Sequence, residues 1–225
     1  MMRQYLFLSP PKLMSIAQGR REKVFHRIRD VGLSFAGAEG KLSLADPAVQ
    51  TLIDSMDIVA SKMRPSLNVL DYTDLEVEPG RWIAADGLQM AYGVQRSNKH
   101  RDLAAAIFSS EEPRRRLMLV GSARHLLDRS HQAVGHAESV SDPQSMFEFI
   151  NSFLDPANDS GNSPPTINSP GFTAGISALH ASLAIFGQQP LSSLSRVTNV
   201  FNIPGRARPI RQIIASPICV TYGAN

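Results

Sequence analysis

Cysteine is almost missing from this chain: Cys219 stands alone among 225 residues. An intramolecular disulfide is therefore impossible, a thiolate-rich zinc site is excluded, and a reducing, cytoplasmic home is expected. Aromatic residues are scarce at 7%, and none is interleaved with the cationic clusters, which argues against a stacking platform for single-stranded nucleic acid. Charge is sparse and nearly balanced, with 19% ionised residue types and a formal net charge of +3. That excess is too small to require a nucleic acid or a membrane as partner. The most apolar helical run, Phe172 to Phe186, carries Ser177, His180 and Ser182 and falls short of a membrane span. Met1 to Leu8 lacks the length and flanks of a signal peptide. Also absent are G-x-G-x-x-G, the P-loop lysine, the G-x-S-x-G elbow and the calcium-loop pattern.

What is present supports a packed core, since 43% of the residues are hydrophobic. Arg3 to Ser9 reads as a strand stopped by Pro10-Pro11, with a short helix from Lys12. Asp46-Pro47 and Asp142-Pro143 each combine an N-cap with proline at the first helical position, so helices are expected after both. Short extended pieces fall at Leu67 to Leu70 and Leu75 to Val77. Trp82 opens a strand in which Leu88, Met90, Tyr92 and Val94 alternate, and Leu103 to Ser109 and Arg116 to Val120 complete an antiparallel meander. Asp155 to Pro170 is a polar loop expected to be mobile, either a lid or a connection. Phe172, Ile176, Leu179, Leu183 and Phe186 form a helical stripe. Leu191, Leu194, Val197 and Phe201 suggest a second helix, before an interrupted strand at Pro209 to Tyr222. The expectation is a single α+β domain over residues 1–225, a mostly antiparallel sheet of about five or six strands packed against helices.

The stretch Arg114 to Ser130 carries the candidate site. An apolar strand breaks at Gly121-Ser122 and runs into a helical pattern, a geometry that directs backbone N–H groups and a helix N-terminus at one spot. Gly121, Ser122, Arg124 and His125 would then receive an anion, with Arg116 nearby; the same letters suit Ser122 as a plain N-cap after a glycine turn. Ser122 and His125 are three apart and share a helical face, but no orienting acid is identifiable, so no catalytic residue is assigned. His125, His131 and His136 lack the spacing of paired metal ligands, and no metal or cofactor is implied. The basic clusters at Arg20 to Arg29, Arg96 to Arg101 and Arg114 to Arg116 suit either phosphate binding or solvated strand ends.

The opening R-x-Y-L-F-L-S, the G-R-W strand, the L-x-L-V-G-S-A-R-H-L-L block and the closing I-I-A-S-P-I-C-V-T-Y resemble a family of uncharacterised small bacterial proteins, frequent in actinobacteria. The matching segments are Arg3 to Ala17, Gly80 to Val94, Leu117 to Leu127 and Ile213 to Tyr222. Asp128 and Arg129 depart from the small turn residue usual after the block. The resemblance implies no activity. The leading expectation is therefore a soluble binding or regulatory module for an anionic small molecule, a nucleotide among the candidates. The alternatives are a protein that self-associates or docks a partner through residues 171–203, and a phosphoester hydrolase using His125.

Overall fold

Strand-forming sequence in this chain is more continuous than its isolated apolar clusters suggest. The computed structural model describes residues 4–17, 53, 67–97, 103–127, 138–139, 143–153, 170–205 and 208–223. In chain order they form β1 (Tyr5–Leu8), α1 (Pro10–Ala17), β2 (Leu70–Asp71), β3 (Trp82–Arg96), β4 (Leu103–Glu111), β5 (Arg115–Ser122), β6 (Glu138–Ser139), α2 (Pro143–Asn151), α3 (Pro170–Leu183), β7 (Gln189–Ile203) and β8 (Ile210–Tyr222). The expected helix after Asp46-Pro47 lies outside the described residues except for Ile53, which is helical and buried. The 155–170 loop, Arg20 to Arg29, His131 and His136 also lie outside them, apart from Pro170 at the start of α3.

The pairing order β3-β7-β8-β5-β4 returns to β3 through a β3–β4 ladder, so five strands close into a barrel. Closure depends on β3 changing partners: Trp82 to Met90 pair with β7, and Ala91 to Arg96 pair with β4. Between Ala85 and Leu88 the β7 ladder slips by a residue. Gly87 sits in that bulge at φ 65°, a left-handed conformation that costs a glycine little, and a bulge of this kind bends a long strand. The expected mostly antiparallel sheet of five or six strands packed against helices is thus corrected to a closed, mixed barrel. The β3–β4–β5 meander does form, but β5 and β8 run parallel. The short strands β1, β2 and β6 attach outside the ring to β8, β3 and β4.

The interior is filled by side chains at alternate positions, including Ile83, Met90, Phe108, Leu119, Val197, Ile213 and Val220, with Phe7 of β1 packed into the same cluster. Phe7 meets Phe108 edge-on with ring centroids 5.9 Å apart. Burying each such side chain is worth about 1.5–3 kcal/mol. On the outside, Phe172, Ile176, Leu179 and Leu183 of α3 are fully buried, with Met146, Phe149 and Ile150 of α2, against Ile107, Met118, Val120 and Ile214.

The segment expected to be a second helix, Leu191 to Phe201, is strand β7. Its apolar residues serve opposite faces: Leu191 and Val197 enter the barrel, Leu194 packs beneath α1, and Phe201 packs beneath α2 and α3. A strand buried on both faces, with a register shift between Val197 and Asn199, imitates a three-to-four-residue apolar spacing. The Leu75 to Val77 piece, expected to be extended, is corrected too: Leu75 and Glu76 form a turn, and Leu75 is exposed. Trp82 is half-buried at the edge of the α1 cluster, with the Arg196 guanidinium carbon 5.8 Å from its ring centroid.

Candidate functional site

One wall of the site is α1. Ser9 ends β1: its N–H donates to the Ile218 carbonyl at 2.8 Å, and its own carbonyl accepts from Leu13 N–H. The helix therefore begins at Pro10, two residues before the expected start at Lys12. Pro10 and Pro11 suit a first turn because they lack the N–H groups that a helix leaves unpaired there. Lys12 follows at once, a cation in a first turn that has no acidic residue. The helix dipole disfavours that placement. Its ammonium turns back to the barrel, donating to the Pro217 carbonyl at 3.1 Å and hydrogen-bonding the Ser216 hydroxyl at 2.5 Å. Proline interrupts the β8 ladder there, where its register against β7 shifts, and Lys12 gives the Pro217 carbonyl a donor.

The opposite wall is the end of β5. Gly121 is packed so closely that a Cβ on it would lie 2.6 Å from Phe7 Cζ and 3.2 Å from Pro217 Cγ. After it the chain forms only a three-residue 3-10 turn, Ala123–His125, capped by Ser122, whose hydroxyl accepts from Arg124 N–H at 3.3 Å. The expected long helix with a free N-terminus is therefore corrected: Ser122 closes its own turn and Gly121 is a packing residue. Three of the expected ligands nevertheless meet. Ser122, Arg124 and His125 face Ser9, Pro11, Lys12 and Ser15 across an open cleft of about 410 Å³.

Among the described residues, two cations and no carboxylate line this cleft. Burial lowers the Lys12 pKa from 10.5 to about 8. Burial, then the charges of Lys12 and Arg124, lower the His125 pKa to about 4, leaving a neutral imidazole at pH 7. His125 packs edge-on to Phe7 with centroids 5.8 Å apart. Its Nδ1 and the Ser9 hydroxyl are both buried without a hydrogen-bond partner, an arrangement costing about 1–3 kcal/mol per group unless something fills it. The two cations thus flank the recess, while the unmet polar atoms lie beneath its lining.

Arg116 does not belong there. It lies six residues before Ser122 on β5, roughly 20 Å away at about 3.3 Å per residue, and pairs with Glu111 at 3.8 Å. A second polar cluster occupies that end. His180 of α3 hydrogen-bonds Ser109 through Nδ1, which also lies 3.4 Å from Glu111 Oε1, and its Nε2 meets Gln212 Oε1 at 3.1 Å. The Gln212 amide nitrogen donates to the Arg116 and Ile213 carbonyls, which fixes its oxygen toward the ring and places the neutral imidazole's proton on Nε2. Ser109, His180 and Gln212 are all buried, so this arrangement anchors α3 to the barrel. Among the described residues, no group of three or more His, Cys, Asp and Glu is placed to hold a metal ion. No described helix is long and apolar enough to cross a membrane.

Sequence reasoning missed Ser9, Lys12 and Ser15. The usable signals were the serine before a diproline, which marks Ser9 as a cap, and a lysine placed against the helix dipole with no evident compensation. Fold and recess together define a mixed five-stranded β-barrel protein with a cationic cleft between its first helix and the end of β5. The chain belongs to a family of unknown function, DUF7019, whose model matches residues 3–222. No curated protein and no solved structure matches the chain.

Proposed function

We propose that this protein is a binding or regulatory module of the cytoplasm, and that the cleft between α1 and the Ser122–His125 turn takes an anionic small molecule. The observation that carries this reading is that Lys12 and Arg124 line a recess in which the other described residues, Ser9, Pro11, Ser15, Ser122 and His125, include no carboxylate. An oxyanion would accept charge-assisted hydrogen bonds from both cations as it binds. The volume of about 410 Å³ suits a compact phosphorylated or carboxylated metabolite. For a nucleotide the lining addresses the phosphate, because the imidazole of His125 is its only ring for a base. Hydrolysis by His125 is less supported, since no acid in the lining orients that ring. Docking or self-association through residues 171–203 would use the solvent face of α3, where Ala174, Ala178 and Ala181 are exposed, since the apolar stripe is covered by the barrel and β7 is paired on both edges.

Calorimetry against phosphate, carboxylate and nucleotide ligands tests the reading. Binding is expected, weakened at least fivefold by Arg124→Ala and less by Ser122→Ala, whose hydroxyl is already engaged by its own turn. Absence of heat from every ligand tried, at concentrations up to millimolar, would overturn it.

A further inference from the structure

Lys12 has features that simple charge recognition does not require. A surface lysine at the rim would hold an anion without the cost of burial, whereas this one is sunk between α1 and β8. Its Nζ is located by two contacts, Ser216 Oγ and the Pro217 carbonyl, so the amine is held in one place instead of sampling many rotamers. Among the described residues it is also the only amine in the cleft. Ser122, the neutral His125 ring and the exposed Arg124 stand across from it.

We propose that Lys12 forms a reversible imine with a small carbonyl compound that also bears a carboxylate or phosphate, the anion being held by Arg124. The inference rests on the anion-binding reading of the cleft and adds a covalent step to it. The neutral amine attacks the carbonyl carbon, forming a C–N bond as the C=O π bond breaks, and the nitrogen's extra proton passes through water to the oxygen, giving a neutral carbinolamine. Protonation of that hydroxyl by solvent lets it leave as water while the nitrogen lone pair closes the C=N bond, and the remaining N–H proton returns to solvent. Nothing is oxidised or reduced, and water is the only by-product. Burial supports the first step: with a pKa of about 8, roughly a quarter of Lys12 is unprotonated at pH 7.5, against about one in a thousand for a solvated lysine.

Glyoxylate and glycolaldehyde phosphate serve as probes for the two anions, with uncharged glycolaldehyde as control. Each is incubated with the full chain at pH 7.5 and reduced with cyanoborohydride, and the modified lysines are mapped by mass spectrometry. Lys23, Lys41, Lys62 and Lys99 of the same chain are internal comparators. Modification is expected at Lys12 at least tenfold faster than at the other lysines, for one or both anionic probes, and suppressed by excess inorganic phosphate. The preferred probe assigns the anion. Lys12→Arg, which keeps the charge, is expected to abolish the fast adduct while still binding phosphate. Labelling spread evenly over the lysines, or equal labelling of Lys12 by uncharged glycolaldehyde, overturns the proposal. If calorimetry shows phosphate binding but reduction traps nothing at Lys12, the imine falls and the anion site stands; if neither is seen, both fall.

Discussion

Replacing Lys12 by methionine separates the cost of the buried charge from the value of its hydrogen bonds. Methionine keeps the unbranched stem that packs on α1 and removes the ammonium. The drop in pKa from 10.5 to about 8, at about 1.36 kcal/mol per pH unit, corresponds to roughly 3 kcal/mol of destabilisation when the group is charged. Partial exposure of the side chain reduces this to about 2 kcal/mol. Against that, the Pro217 carbonyl loses its donor at a cost of about 1 kcal/mol, while Ser216 retains its bond to the Val120 carbonyl at 3.4 Å. Lys12→Met is therefore expected to be more stable than wild type at pH 7 by about 1 kcal/mol, which raises the melting temperature by about 2–4 °C in a chain of this size. The native state holds fewer protons than the unfolded state between pH 8 and 10.5, so wild-type stability rises with pH across that window. The variant has no such rise. Urea unfolding of both proteins should give curves that cross, with wild type the more stable near pH 10.5. A variant already weaker at pH 7, or a difference that does not change with pH, would refute this account of the lysine.

Gly121→Ala is expected to cost about 1–3 kcal/mol through overpacking, because the new methyl would overlap Phe7 and Pro217; chemical denaturation checks it, and a change below about 0.5 kcal/mol would contradict the packing. His125 governs the acid limb. Its pKa is lowered from 6.5 to about 4, so the unfolded state binds the extra proton first and stability falls as pH drops through that window. The loss is on the order of 3 kcal/mol when complete. A His125→Gln variant should lose that slope between pH 6.5 and 4, and an unchanged slope would place the effect elsewhere.

The elements read best were those whose apolar residues keep one period. Asp142-Pro143 announced α2, the 172–183 stripe announced α3, and the Leu88 to Val94 alternation announced the second half of β3. The helices keep one period because solvent lies on their other side, and β3 keeps its alternation because its outward positions Gln89, Ala91 and Gly93 are polar or small although Ala91 and Gly93 are covered. β7 misled because both of its faces are dry and a bulge shifts its phase, so no single period survives. Barrel closure was equally hidden: nothing in the letters of β3 says that it exchanges β7 for β4 midway. Of the cleft, Ser122, Arg124 and His125 were found through their local turn. Lys12 and Ser9 were not, because what links them to that turn is the fold, across more than a hundred residues of chain. Arg116 was placed there by sequence proximity, which an extended strand converts into distance.

Strand β8 touches β1, β5 and β7 along its length, and its Ser216-Pro217 step is what Lys12 grips. Until residues 210–222 dock, those neighbours keep open edges that invite pairing with other chains, and the amine has no fixed address. If the cleft takes the proposed anion, its capture doubles as a report that assembly is finished: a chain halted before Ile210 would be sticky and, at the same time, without the site.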